Sequence, residues 1–390
     1  MTNVFTEEMS PFIKIFQVMG LYPSSFILKI HSLFNFGLTV FIFISAFCIF
    51  PVLENDNSLS LLVGGLVFVG ILLTNLINIT QAFFSVNQQT EIYRKFDQID
   101  LMLANQLLVH ADYKKIRRRL IIKYTLLAFV LLAIHVVSIV SVTVYGVAFS
   151  YYVHLIVPVG ATRLRCIQNM FYVDIINEKL KSMNQKLHDM INRNHDKMAF
   201  ILFSHKLQKF DVKEKKISSS LYEQIITLKQ IYGKIFDVSN LINDVFGWSL
   251  LFVVTQYFIE FTSNGYWLFL ALENLLEQSF AIQSLCSIFP IAILLTTMAN
   301  SCFNCSENAQ QLGVLIHKIE RDINSDLQNA LIREFSLQLI HEPITITANG
   351  FFSINFTLIG GMAASTVTYL VILIQFQLSE IKKTSNSTAS

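Results

Sequence analysis

Charge is what this sequence has least of. Asp, Glu, Lys and Arg make up 14% of its 390 residues, against about 25% in an average soluble domain. Hydrophobic residues make up 53%, and mean hydropathy is +0.52. So few charges cannot cover the surface of a soluble protein this size, and a disordered chain or a nucleic-acid binder would need more of them. Proline is scarce, with six residues, while Phe reaches 34. The five cysteines, Cys48, Cys166, Cys286, Cys302 and Cys305, all lie in or beside apolar stretches, which excludes an extracellular disulfide framework. Residues 1–31 hold Glu7, Glu8, Lys14 and Lys29 and no short apolar core with a cleavage site, so they do not read as a signal peptide. What remains is a polytopic membrane protein.

Catalytic signatures are missing as well. His341-Glu342 is followed by Pro343 and lacks the second His of a zinc-protease motif. Gly233-Lys234 lacks the upstream Gly of a phosphate loop, and no G-x-G-x-x-G occurs. Cys302-x-x-Cys305 has no second ligand pair, so it reads as two reduced thiols at a helix end. The acids inside apolar runs are Asp174, Asp244 and Glu260, all near run ends, where neither aspartyl chemistry nor proton transport is served. This argues against an enzyme and implies no metal and no cofactor.

A bilayer core takes about 20 apolar residues as helix. Seven runs qualify, at residues 33–52, 60–83, 121–144, 149–174, 242–263, 279–302 and 351–376. Lys and Arg give the orientation: 24 fall in the N-terminal tail and the segments 84–120, 175–241 and 303–350, and only Lys382 and Lys383 on the other side. The predicted protein is therefore all-α, with seven transmembrane helices and a cytoplasmic amino end. It reads as one integral domain over 1–390: a cytoplasmic tail at 1–32, six helices with long cytoplasmic extensions over 33–302, a cytoplasmic helical segment at 303–350, the last helix at 351–376 and an extracellular tail at 377–390. The outer loops are too short to fold into a binding domain, so a ligand must enter the helical bundle. Beyond Ser220, Leu221, Ile225, Leu228, Tyr232 and Ile235 recur at spacings of 4, 3, 4 and 3. That stripe predicts an inward continuation of the fifth helix, packed on its neighbours as a cytoplasmic anchor region. Asp326–Ile340 reads as a further helix ended by Pro343.

The last run carries the sharpest pattern. Thr368-Tyr369, five apolar residues and then Gln375-Phe376, preceded by Thr347-Ala348-Asn349-Gly350-Phe351-Phe352-Ser353-Ile354-Asn355, resembles the signature of insect gustatory receptors. The length and the seven-span plan are similar to that family too. The resemblance implies a ligand-gated, non-selective cation channel that detects small tastants at the plasma membrane of chemosensory neurons. It also implies a homo- or hetero-tetramer with other gustatory receptors, whose last helices line a central pore. Gln375 and Phe376 would form the gate, with Thr368, Tyr369 and Ile372 lining or buttressing it. Sugar-sensing members tend to carry Glu after the Thr-Tyr pair; here Leu370 stands there, which points towards bitter compounds or contact pheromones. The competing reading is a seven-span receptor coupled to G proteins. That class would place the amino end outside, and its Asn-Pro-x-x-Tyr run is missing here.

Helical spacing fits a pore. Ser365, Thr368, Ile372 and Gln375 share one face, and Thr366, Tyr369, Leu373 and Phe376 the adjacent one. Apolar rings shut a pore by dewetting, and Glu380 would draw cations to its mouth. The same polar residues would also serve as contacts between helices. Gly360-Gly361 with Ala363-Ala364 reads as a packing patch or as a break in the helix. Candidate ligand contacts in the outer half of the bundle are His135, Tyr145, Tyr151, Tyr152, His154, Gln256, Tyr257 and Trp267, although interface anchoring selects aromatic residues too. For Arg163 and Arg165 two readings stand: they line an ion path or bind a ligand anion, or Pro158 ends the apolar part early and leaves them at the cytoplasmic edge. Membrane lipid and a small organic ligand are the implied partners, and nucleic acid is not.

Overall fold

The computed structural model describes residues 4–49, 58–144, 149–204, 211–319 and 326–388. Eleven α-helices occur among the described residues: α1 (Val4–Glu8), α2 (Ser10–Val18), α3 (Phe26–Ile49), α4 (Ser58–Phe84), α5 (Val86–Leu107), α6 (Tyr113–Val144), α7 (Phe149–Ser204), α8 (Asp211–Leu272), α9 (Gln278–Ile316), α10 (Asp326–His341) and α11 (Phe356–Thr388). The seven predicted spans fall on α3, α4, α6, α7, α8, α9 and α11. Stretches of α4, α6, α8, α9 and α11 are long and apolar enough to cross a membrane; α3 adds a shorter apolar stretch, Phe26–Ile42, and α7 carries Arg163 and Arg165 within its predicted span.

At about 1.5 Å per residue, the 56 residues of α7 and 62 of α8 far exceed the roughly 30 Å hydrocarbon thickness. Both continue past the apolar layer at the basic end. There the predicted stripe is inward-facing: Ile225, Leu228, Tyr232 and Ile235 are fully buried. Tyr232 meets the Phe335 ring of α10 and donates its hydroxyl to the Glu342 carbonyl at 2.7 Å.

Two further elements pack at this end. Residues 86–107 form a helix that lies outside the apolar runs and packs on α8. Its buried face runs through Ile92, Tyr93, Phe96, Ile99 and Leu103. Burial, then the neighbouring Tyr172, push the Tyr93 hydroxyl well above its ordinary range, so Tyr93 stays protonated at physiological pH. The expected N-terminal tail is docked. Phe5, Met9, Phe12 and Phe16 are buried against α5, α6 and α7 side chains, with the Phe12 ring tilted against Phe171 at 4.9 Å between centroids. The Asp97 carboxylate of α5 accepts the Phe5 N–H at 2.9 Å and the Thr6 hydroxyl at 2.7 Å. The main core therefore sits at the basic end, and a small second cluster of Val63, Tyr266 and Leu270 sits towards the other.

Candidate functional site

The approach to the last helix is a clasp. Thr347 and Ser353 form an isolated antiparallel bridge. Ala348 donates to the Phe352 carbonyl, and Ile354 to that of Ile346. The turn between them needs left-handed backbone at Asn349 (φ 50°) and Gly350 (φ 78°), which Asn tolerates and Gly adopts freely. Asn243 of α8 grips this segment from both sides, donating to the Thr345 carbonyl at 2.9 Å and accepting the Thr347 N–H at 3.0 Å. Asn355 then caps α11 through the Leu358 N–H at 3.0 Å. The last helix therefore begins at Phe356, not 351: the turn consumes the apolar Phe351 and Phe352.

Beyond that clasp α11 lies almost bare, with only 6% of its most apolar window buried. The covered side is narrow. Thr366 and Gln377 are buried and Leu370 and Leu373 half-buried, at spacings of 4, 3 and 4, all towards α8. Thr366 meets the Thr262 hydroxyl at 3.4 Å. Leu370 and Leu373 pack on the Tyr266 and Leu270 cluster. Ser365, Thr368, Tyr369, Ile372, Gln375 and Phe376 are exposed. One predicted face is thus open, and the adjacent one is split: Thr366 and Leu373 turn inward, Tyr369 and Phe376 outward. Tyr369 stands edge-on to Phe258 at 5.8 Å. The Glu380 side chain lies outside the described residues. Gly360 and Gly361 are exposed, with nothing within 4 Å of a Cβ added at either, and α11 runs unbroken through them. Among the described residues, the two glycines therefore pack on nothing.

A second feature is a cleft among α4, α7, α8 and α9, with about 290 Å³ of empty space counting its open mouth. Its polar lining is Thr74, Thr162, Arg163, Gln256, Tyr257 and Glu260; its apolar lining is Ile71, Val159 and Ile291. Gln256 is buried and donates to the Val67 carbonyl at 3.1 Å and to Glu260 Oε1 at 3.0 Å. Thr162 accepts from Asn78 at 3.3 Å. Of the candidate ligand contacts, Gln256 and Tyr257 line this cleft. His135 lies within electrostatic reach of Arg163 but is not in the lining. Trp267 joins the Tyr266 and Leu270 cluster instead. Tyr145 and the side chains of Tyr151, Tyr152 and His154 lie outside the described residues. Thr74 and Thr162 were missed, and Glu260 was read only as an acid near a run end. Its signal was the i, i+4 pairing with Gln256.

The two arginines part company. The helix continues through Pro158, so the proline does not break it before either arginine. Arg165 is 1% exposed and wholly engaged: Nη1 donates to Gln168 Oε1 at 2.7 Å, Nη2 to the Val245 carbonyl at 3.0 Å, Nε to Ser249 at 3.4 Å, and the guanidinium sits 4.1 Å from the Phe246 ring centroid. Arg163 lines the cleft, and no hydrogen bond or ion pair holds it among the described residues. Cys302 and Cys305 are buried free thiols.

Long apolar helices, a bare terminal helix and a cleft walled by four helices define an all-helical integral membrane protein. The chain belongs to the 7tm chemosensory receptor family, whose model matches residues 9–380. It is 40% identical over 164 residues to gustatory receptor 23a of Drosophila melanogaster, covering 41% of this chain and 43% of that one. Gustatory receptor for bitter taste 66a of the same organism is 23% identical over 42% of this chain and 32% of its own length. Gustatory receptor for sugar taste 43a is 27% identical over 35% and 32%. The chain thus spans less than half the length of each of these relatives. The solved insect olfactory receptor OR5 from Machilis hrabei, in complex with eugenol, shares the fold: TM-score 0.66 at 14% identity, over 95% of this chain and 98% of that one.

Proposed function

We propose that this chain is a gustatory receptor that works as a ligand-gated, non-selective cation channel. It sits in the plasma membrane of chemosensory neurons with its amino end inside, and assembles as a tetramer with copies of itself or with other gustatory receptors. The reading is carried by one observation. The side of α11 away from α8 presents Ser365, Thr368 and Gln375 outward. An unpaired amide facing hydrocarbon is costly, whereas the same groups facing a water-filled path between subunits are solvated. Phe376, 62% exposed beside Gln375, supplies the apolar ring of a gate, and the α4–α7–α8–α9 cleft takes the ligand. Binding opens the pore only if the ligand prefers the open state.

The ligand is read as a bitter compound or a contact pheromone ahead of a sugar. Support for this comes from Leu370, which follows Thr368-Tyr369 where sugar-sensing members tend to carry Glu. The names of relatives divide between bitter and sugar taste and favour neither. The test is whole-cell recording from cells expressing the full chain against bitter compounds, cuticular hydrocarbons and sugars. The expected result is an inward current that persists when sodium is replaced by potassium outside. A response that needs G-protein signalling and no permeant cation would overturn the channel reading.

A further inference from the structure

The cleft holds an unusual pair. Arg163 and Glu260 both line it, both lie in helices predicted to cross the bilayer, and no ion pair joins them among the described residues. Ionised groups at such depth are strongly penalised unless they pair or meet water. Glu260 Oε1 accepts from Gln256; its other oxygen has no hydrogen-bond partner among the described residues. The Arg163 guanidinium carries five donors and meets no hydrogen-bond acceptor among the described residues. One wall of the cleft therefore offers unused donors and another an unused acceptor. Gln256, whose amide bonds Glu260, has its side chain over Gly70. A Cβ at Gly70 would stand 1.9 Å from Gln256 Oε1. Only glycine at position 70 leaves the amide in place, so Gly70 is a positioning residue for the acceptor side.

We propose that this cleft selects a small organic ligand carrying an acceptor, such as a carboxylate or carbonyl, for Arg163 and a donor, such as an amine, for Glu260, and that it rejects saturated hydrocarbons. This rests on the reading of the cleft as the receptor's ligand pocket and narrows its ligand class. A hydrocarbon would strip water from both polar side chains and return no hydrogen bond. A bifunctional ligand satisfies both at once, and its charge or dipole complements the two walls.

The test is a thermal-shift titration of the full-length purified receptor with four probes of related size: phenylalanine (carboxylate and ammonium), benzoate (acceptor only), benzylamine (donor only) and ethylbenzene (neither). Phenylalanine is expected to stabilise at the lowest concentration and ethylbenzene not at all. Arg163→Met should weaken phenylalanine and benzoate at least tenfold and spare benzylamine; Glu260→Gln should weaken phenylalanine and benzylamine and spare benzoate. Gly70→Ala keeps both charges and should weaken benzylamine more than benzoate, which serves if either charge variant does not fold. Equal shifts by phenylalanine and ethylbenzene, no shift by any probe at millimolar concentration, or shifts indifferent to all three variants would overturn the proposal. Recording separates this from the channel reading: probe binding without current would sink only the channel, and currents evoked by hydrocarbons and unaffected by Arg163→Met would sink only the ligand class.

Discussion

The Tyr266 hydroxyl of α8 donates to Gln377 Oε1 of α11 across 2.8 Å, and both side chains are buried. Gln377 directly follows Phe376, so this bond ties the outer part of the bare helix to the bundle next to the proposed gate. A neutral hydrogen bond contributes about 1 kcal/mol net, which is roughly a fivefold change in an equilibrium. If opening draws α11 away from α8, Tyr266→Phe should raise resting current by roughly that factor and shift ligand dose–response curves to lower concentration. Unchanged resting current at equal surface expression would place the moving part elsewhere.

Phe376 itself has little packing to lose, being 62% exposed. Phe376→Ala should therefore leave thermal stability nearly unchanged while raising resting current, because the apolar constriction is removed and the fold is not. A large loss of stability with no change in current would mean that the ring packs on another protein surface and does not gate.

These outcomes follow from a fold much of which was legible in the sequence. Ile225, Leu228, Tyr232 and Ile235 could be read as one buried stripe because a helix packed along its length keeps a regular apolar period. The start of α11 could not be read to the residue. Phe351 and Phe352 have span-like hydropathy, and it takes the backbone at Asn349 and Gly350 to put them in a turn. Arg163 and Arg165 differ by two residues, hence by about 200° around a helix. Their divergence was implied, but which one turns inward depends on Gln168, Ser249 and Phe246, brought together from other positions and from α8. The docking of α1 and α2 did have a signal, the 4, 3, 4 spacing of Phe5, Met9, Phe12 and Phe16. It was overlooked because Glu7, Glu8 and Lys14 make the segment look like a solvated tail.

Arg165 makes a sharper prediction than Arg163. Its guanidinium bonds Gln168, the Val245 carbonyl and Ser249 and covers Phe246, with no carboxylate among these partners. Each buried bond to a charged group is worth about 1.5–3 kcal/mol. Arg165→Met would remove the donors to Gln168 Oε1, the Val245 carbonyl and Ser249 and should lower stability by about 3 kcal/mol or more. Arg165→Lys should recover little of that, because an ammonium cannot reproduce the planar fork. Thermal denaturation followed by size-exclusion chromatography reads both. Lysine behaving like arginine would show that charge alone suffices there.

The amino-terminal clasp gives the last test. Phe5 is fully buried, its N–H and the Thr6 hydroxyl both end on Asp97, and Glu8 reaches Arg117 at 3.0 Å. The Glu8–Arg117 pair is just over a third exposed and contributes little. The Phe5 ring and the Asp97 carboxylate carry the attachment. Large-to-small substitution of a buried Phe costs about 3–5 kcal/mol, so Phe5→Ala should release α1 and α2 together, because Phe12 and Phe16 share the same core. Asp97→Asn keeps the shape but loses the charge on two accepted bonds and should weaken the clasp less. Glu8→Gln should barely matter. Hydrogen exchange over residues 4–18 is the measurement, with protection expected to fall in the order Phe5→Ala, Asp97→Asn, Glu8→Gln. The same preparation checks topology: a tag at residue 1 should resist protease added outside intact cells, since the basic end of α5–α8 to which the clasp is fixed is predicted to face the cytoplasm. Cleavage of that tag from outside would reverse the assigned orientation of the whole bundle.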